Sequence, residues 1–178
     1  MPFPSDSERW MRAALLQAQA ALEAGEEPVG AVLVEAATGR IVARAHDQRR
    51  ALNDPTAHAT MLALSGLAQA EQMKAEFEAA GLPPDELDGA LQAIGLDGLV
   101  LVVTREPCLM CAGAVRLHPE VKQLVFGASR EALGGAGSAL NLFRAAGALP
   151  ALPAEGGVLR SQATALLQEF ALRQKTRR

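Results

Sequence analysis

Helices alternating with short apolar strands predict an α/β protein: a three-layer α/β/α sandwich around a mixed five-stranded sheet. Three observations lead there. Residues 29–36 and 98–104 read VGAVLVEA and GLVLVVT, branched apolar runs of strand length. Trp10, Ala14, Leu15, Ala18, Ala21 and Leu22 recur at helical spacing. No repeat or linker divides the 178 residues, a length that suits a single domain, 1–178, with a sizeable core.

In order along the chain, Ser5 or Ser7 caps the first helix and Gly25 stops it. Residues 29–36 and 40–46 form a hairpin around Thr38 and Gly39. After a loop over 47–53, Asp54 is expected to cap a second helix with Pro55 at its first position, running to about 64–67. Residues 69–97 read as an acidic helical insert broken by GLPPDE. The strand at 98–104 has the composition of one buried on both faces. A third helix is expected from Pro107 through Leu117, ending before Pro119. KQLVFGA at 122–128 is a fourth strand, and Gly134, Gly135 and Gly137 make a loop. A short helix over 141–146, a fifth strand in GGVLR at 156–160 and a last helix capped by Ser161 complete the expected order.

Composition narrows the function classes. An apolar fraction of 49% is too high for a disordered chain. Aromatics at 3%, with no Tyr, argue against a platform that stacks many bases. A net charge of −3 gives no broad basic surface, so weak, salt-sensitive RNA contact would fall to the tail residues Arg173, Lys175, Arg177 and Arg178. The N-terminal stretch has no uninterrupted apolar core of a signal peptide, and no apolar run reaches membrane-spanning length. A cytoplasmic protein without a membrane segment is expected.

The chemistry concentrates in two stretches. DPTAHAT, residues 54–60, holds His58, and REPCLMCAGA, residues 105–114, holds Cys108 and Cys111. On a helix, positions three apart share a face, so both sulfurs can meet one ion. A helix start also favours thiolate over thiol. Cys-x-x-Cys alone is equally a redox pair or two buried thiols, and a lone His is more often a surface or hydrogen-bonded residue. Taken together, each at a helix start, they read as a Cys₂His metal site with its fourth position open, the layout of a catalytic zinc that activates water.

EPVGAVLV, DPTAHA, EPCLMCAGAV and LVFGA resemble the bacterial tRNA adenosine deaminases, within the zinc-dependent cytidine and deoxycytidylate deaminase superfamily. The resemblance covers about 26–64 and 99–141. It implies zinc held by His58, Cys108 and Cys111, a five-stranded sheet and a homodimer. It also implies hydrolytic deamination of a nucleobase, a nucleoside or adenosine in a tRNA anticodon arm.

This sequence departs from the pattern. The family's Glu, which moves a proton to the ring nitrogen and then to the leaving amine, is replaced by Thr60. A hydroxyl can orient water, but holds its proton too tightly to act as base, so activity is expected to be impaired. Asp47 stands where the family has a base-contacting Asn, and its bland role is to cap a loop. Glu106 matches a family residue and is expected to support the site from behind, ordering a ligand or a helix start. Glu27 replaces an apolar residue and, with Glu106, is a candidate substitute carboxylate. The alternative function is that of a non-catalytic zinc-containing homologue serving as a binding or partner subunit, an arrangement that eukaryotic tRNA deaminases resemble.

Overall fold

The computed structural model describes residues 4–66, 98–145 and 149–176. The expected acidic insert at 69–97 lies outside the described residues. Helix α1 spans Pro4–Glu23, strand β1 Gly30–Glu35 and strand β2 Ile41–His46. Helix α2 begins at Ala59 and is described to residue 66. Strand β3 (Leu99–Arg105), helix α3 (Leu109–Leu117), strand β4 (Val121–Ala128), strand β5 (Ala154–Gly156) and helix α4 (Arg160–Thr176) follow. The sheet order is β2-β1-β3-β4-β5. β1 runs antiparallel to both β2 and β3, whereas β3, β4 and β5 are parallel.

Alternation along β1 and β3 divides the interior in two. Val32, Val34, Val100 and Val102 face Trp10, Met11 and Ala14 of α1 and Ala163 of α4. Ala31, Leu33, Leu99, Leu101 and Val103 face the opposite way, against Ala59, Ala63 and Leu64 of α2 and Ala112 and Val115 of α3. Both faces of the sheet are thus covered, which is the expected sandwich. β3 is buried along its length except at Arg105, as its composition implies.

Three local expectations are corrected. α2 does not open at Pro55. Asp54 accepts hydrogen bonds from the Thr56 N–H and hydroxyl, both at 2.7 Å, and this side-chain turn holds the chain out of helix until Ala59. The fifth strand lies at Ala154–Gly156 rather than 156–160, because Gly157 (φ 88°) and Leu159 (φ 49°) turn the chain away from the sheet. No helix forms over the described residues 141–145, where the Phe143 N–H is taken by Asn141 Oδ1 at 3.0 Å. Among the described residues, no helix is long and apolar enough to cross a membrane.

Gly30 sets how closely α1 approaches the sheet. A Cβ there would lie 2.1 Å from the Ala14 carbonyl oxygen and 2.5 Å from the Ala18 nitrogen, backbone atoms that cannot swing aside. The Gly30 N–H also bonds the buried Thr104 hydroxyl at 3.0 Å, tying β1 to the end of β3. Gly30→Ala is expected to destabilise by about 1–3 kcal/mol through overpacking. A urea midpoint equal to that of the unsubstituted protein would contradict this packing.

Candidate metal centre and its recess

β2 and β3 both run antiparallel to β1, so their C-terminal ends lie together at the edge where β1 begins. Asp47 follows β2, and the segment from Arg105 to Cys108 ends β3 and leads into α3. His58 directly precedes α2. Cys108 is the N-cap of α3 but makes no side-chain capping bond, so its sulfur is free for other work. Cys111 lies in the first turn, as the spacing predicts.

The three side chains come together as expected. His58 Nδ1 lies 3.7 Å from Cys108 Sγ and 3.5 Å from Cys111 Sγ, and all three potential ligand atoms fall within 4.8 Å of one another. Around tetrahedral zinc, with normal Zn–S and Zn–N lengths, sulfur and nitrogen ligands stand about 3.6 Å apart. The donor set and spacing therefore fit zinc. Neither cysteine is in a disulfide, so both sulfurs are available as ligands.

Without a metal the triad shares protons. The Cys111 thiol hydrogen-bonds Cys108 and pushes its pKa down to about 3, with His58 adding to the effect against the cost of burial. The same interaction, with burial, drives the Cys111 pKa far upward. The bond to Cys108 raises His58 above its ordinary value despite desolvation. Zinc takes these ligands as thiolates and a neutral imidazole, so a divalent cation binds here by displacing the protons they hold.

The recess around the triad is also lined by Val29, Asp47, Thr60, Arg105, Glu106 and Arg130. Thr60 is buried at 2% exposure in the first turn of α2. Asp47 accepts the Ala59 N–H at 2.7 Å, so it caps α2 from twelve residues away, and its other oxygen lies 3.2 Å from Arg49 Nε. Burial raises its pKa to about 6, opposed by the Ala59 bond and by the charges of His58 and Arg49.

Glu106 does not support the sulfur ligands directly. It organises the loop after β4: Oε1 accepts the N–H groups of Ala136 and Ser138, each at 3.0 Å, and Oε2 accepts the Arg130 N–H at 2.9 Å and the Ser138 hydroxyl. A Cβ on Gly134 would sit 2.4 Å from this carboxyl carbon, so the loop closes over it only with glycine there. Burial alone would raise the Glu106 pKa, but the bonds from Ser138, Arg130 and Ala136 bring it below the ordinary value.

Glu27 does reach the neighbourhood, but in an ionic chain. One oxygen is held by Arg105 and the other by Arg49 at 2.5 Å. Arg49, Arg105 and Arg130 were missed by the sequence reading. Only Arg105 carried a signal, a charge closing an otherwise apolar strand. Of the basic tail, Arg173 is engaged with Glu169 at 2.5 Å and reaches the Leu22 carbonyl at 3.5 Å, while Arg177 and Arg178 lie outside the described residues.

Comparison with known proteins agrees with this geometry. The family model described as the cytidine and deoxycytidylate deaminase zinc-binding region matches residues 4–128. The chain is 36% identical over 166 residues to the tRNA-specific adenosine deaminase of Bacillus subtilis, covering 93% of this chain and 89% of that one. A solved structure from studies of A-to-I editing by tRNA:A34 deaminases at the wobble position of transfer RNA superposes with a TM-score of 0.67. It is 31% identical, with 89% of this chain and 99% of that chain covered. The guanine deaminase of Nitrosomonas europaea superposes with a TM-score of 0.65 at 27% identity, covering 97% and 86%.

Two outcomes test the site. Zinc binding is expected to release protons at neutral pH, because the bound sulfurs are thiolates. Calorimetric titration in buffers of different ionisation enthalpy measures this, and zero release would mean that the thiols are not the ligands. Glu106→Gln keeps the shape but sets an amide NH₂ against at least one donor, with an expected cost of about 1.5–3 kcal/mol. Because the folded pKa of Glu106 is lowered, its contribution is complete above the ordinary carboxylate range and fades as pH falls through the folded value. The cost should therefore shrink in acid, and denaturant melts across pH check it.

Proposed function

The chain belongs to the cytidine and deoxycytidylate deaminase zinc-binding family, and from that premise we propose an impaired, zinc-binding deaminase that acts on adenosine in a tRNA anticodon arm. A nucleoside or free nucleobase is the smaller substrate of the same chemistry. Zinc held by His58, Cys108 and Cys111 would supply Lewis acidity toward an attacking water. Asp47 and the α2 backbone fix the position of His58, and Glu106 fixes the loop that carries Arg130 to the recess. Thr60 stands at the proton carrier's position, where its hydroxyl can orient a water but cannot take its proton.

One observation carries the impairment: among the described residues, every carboxylate at or beside the recess has both oxygens engaged by backbone, hydroxyl or guanidinium donors. Asp47 is taken by Ala59 and Arg49, Glu27 by Arg49 and Arg105, and Glu106 by the loop after β4. The relatives' printed activities support the substrate class, tRNA adenosine first and a purine base second.

A second reading, a non-catalytic partner subunit, is favoured by the size of the recess. Its free volume of about 10 Å³ is that of a single water rather than a base.

Thr60→Glu is expected to raise the turnover of a tRNA anticodon arm, adenosine or adenine by about 10²–10⁴-fold at unchanged zinc content, the usual worth of a positioned acid–base group. Ammonia release, with metal analysis of both forms, measures it. High activity in the unsubstituted protein would refute impairment, and inactivity of both forms on every substrate would favour the partner subunit.

A further inference from the structure

The rim of the metal recess holds two guanidinium groups whose donors are not all used. Arg105 closes β3, and its register partner on β4 is Ala128, two residues before Arg130. Both arginines line the recess. Arg105 gives Nη1 to Glu27, but its Nε is buried without a hydrogen-bond partner. Arg130 is half-buried. Its backbone N–H is bound to Glu106, and its guanidinium makes no ion pair or hydrogen bond among the described residues. Burial lowers the Arg105 pKa, and the neighbouring charge of Arg130 pushes in the same direction.

The carboxylates nearby do not answer this need. Glu27 bridges Arg49 and Arg105, and Asp47 is divided between the Ala59 N–H and Arg49. Glu106 has four donors, none of them a guanidinium. Two adjacent cations, one engaged by Glu27 on one side only and one with no acceptor among the described residues, leave room for an acceptor from outside. A phosphate fits, because its oxygens accept from several guanidinium donors at once and its charge relieves the repulsion between them.

We propose that Arg130 and Arg105 form a phosphate-binding rim on the metal recess, and that the ligand presents a phosphate group there. This deepens the deaminase reading and rests on it for the nucleotide nature of the ligand. The phosphate would be either the monoester of a nucleoside monophosphate or a diester of an RNA strand. Asp47 and Glu27, next to the same rim, hold Arg49 and one side of Arg105 in place and leave Arg130 to the ligand.

The test is calorimetric binding to the zinc-loaded full chain, with inorganic phosphate, adenosine, adenosine 5′-monophosphate and the dinucleoside phosphate ApA as probes. Arg130 is half-exposed and has no side-chain partner among the described residues, so Arg130→Gln should fold normally, which its melting curve verifies. Phosphate-bearing probes are expected to lose about 10–100-fold in affinity in Arg130→Gln, the worth of hydrogen bonds to a charged group, with adenosine unaffected. Arg130→Lys should recover only part of the loss, since it keeps the charge but not the fork. A preference for the monophosphate over ApA identifies a mononucleotide, and the reverse identifies a strand. Failure of every phosphate probe to bind, or binding equally tight in Arg130→Gln, overturns the proposal. Phosphate binding through Arg130 in a chain whose Thr60→Glu form stays inactive would defeat the deaminase reading alone.

Discussion

Everything at the candidate site depends on strand direction. Because β1 is antiparallel to β2 and β3, two strand exits and one strand entrance share an edge of the sheet, and parallel β4 adds a third exit. Asp47, the segment from Arg105 to Cys108, and Arg130 all lie at or just past a strand end. Ligands commonly bind at the carboxyl ends of strands in open α/β sheets, where chain leaving the sheet carries side chains that no ladder constrains. β3 makes this edge firm. Both of its faces are packed and both of its neighbours are paired, so the start of α3 cannot drift without breaking the core.

Buried carboxylates then turn a fixed edge into a fixed site. Glu26 takes the N–H groups of Arg50 and Ala51, Asp47 takes that of Ala59, and Glu106 takes three N–H groups and a hydroxyl. Each immobilises backbone that would otherwise carry unsatisfied donors, Asp47 and Glu106 at the recess itself. Arg50 adds a tether on the outer side, reaching the Gly25 carbonyl at 2.9 Å and lying 5.8 Å from the Phe170 ring centre of α4. The acids around the metal triad are therefore committed to holding backbone, as Asp47 and Glu106 do, or guanidinium groups, as Glu27 does.

Much of this was legible in the residues. The sandwich followed from the branched runs and the helical spacing, since both periods report burial directly. The metal triad followed from His58, Cys108 and Cys111, because ligand chemistry admits few residue types. What escaped was set by local competition or by distance. Asp54 and Pro55 look like a helix start, but the Asp54 side chain bonds Thr56 and delays the helix to Ala59. Asn141 competes with helix in the same way at Phe143. The ionic chain from Asp47 through Arg49 and Glu27 to Arg105 spans segments far apart in sequence, and no periodicity or spacing encodes such a meeting. Glu106 was expected behind the ligands, yet its partners lie 24 to 32 residues downstream, in a loop that showed only its glycines.

Holding a metal and moving a proton would draw on different side chains in this chain. The triad is placed by the starts of α2 and α3, and those starts are held by Asp47, by the buried end of β3 and by packing of Ala59 and Ala112 against the sheet. Residue 60 contributes to none of these supports. A change at that position from a carboxylate to a smaller, neutral hydroxyl removes a charge that burial would otherwise penalise, and leaves the scaffold its caps and its core. The fold thus exerts little pressure to keep the proton carrier. In this arrangement a chain can retain metal ligands, sheet and loop geometry while its chemistry weakens, because stability and proton transfer draw on different side chains.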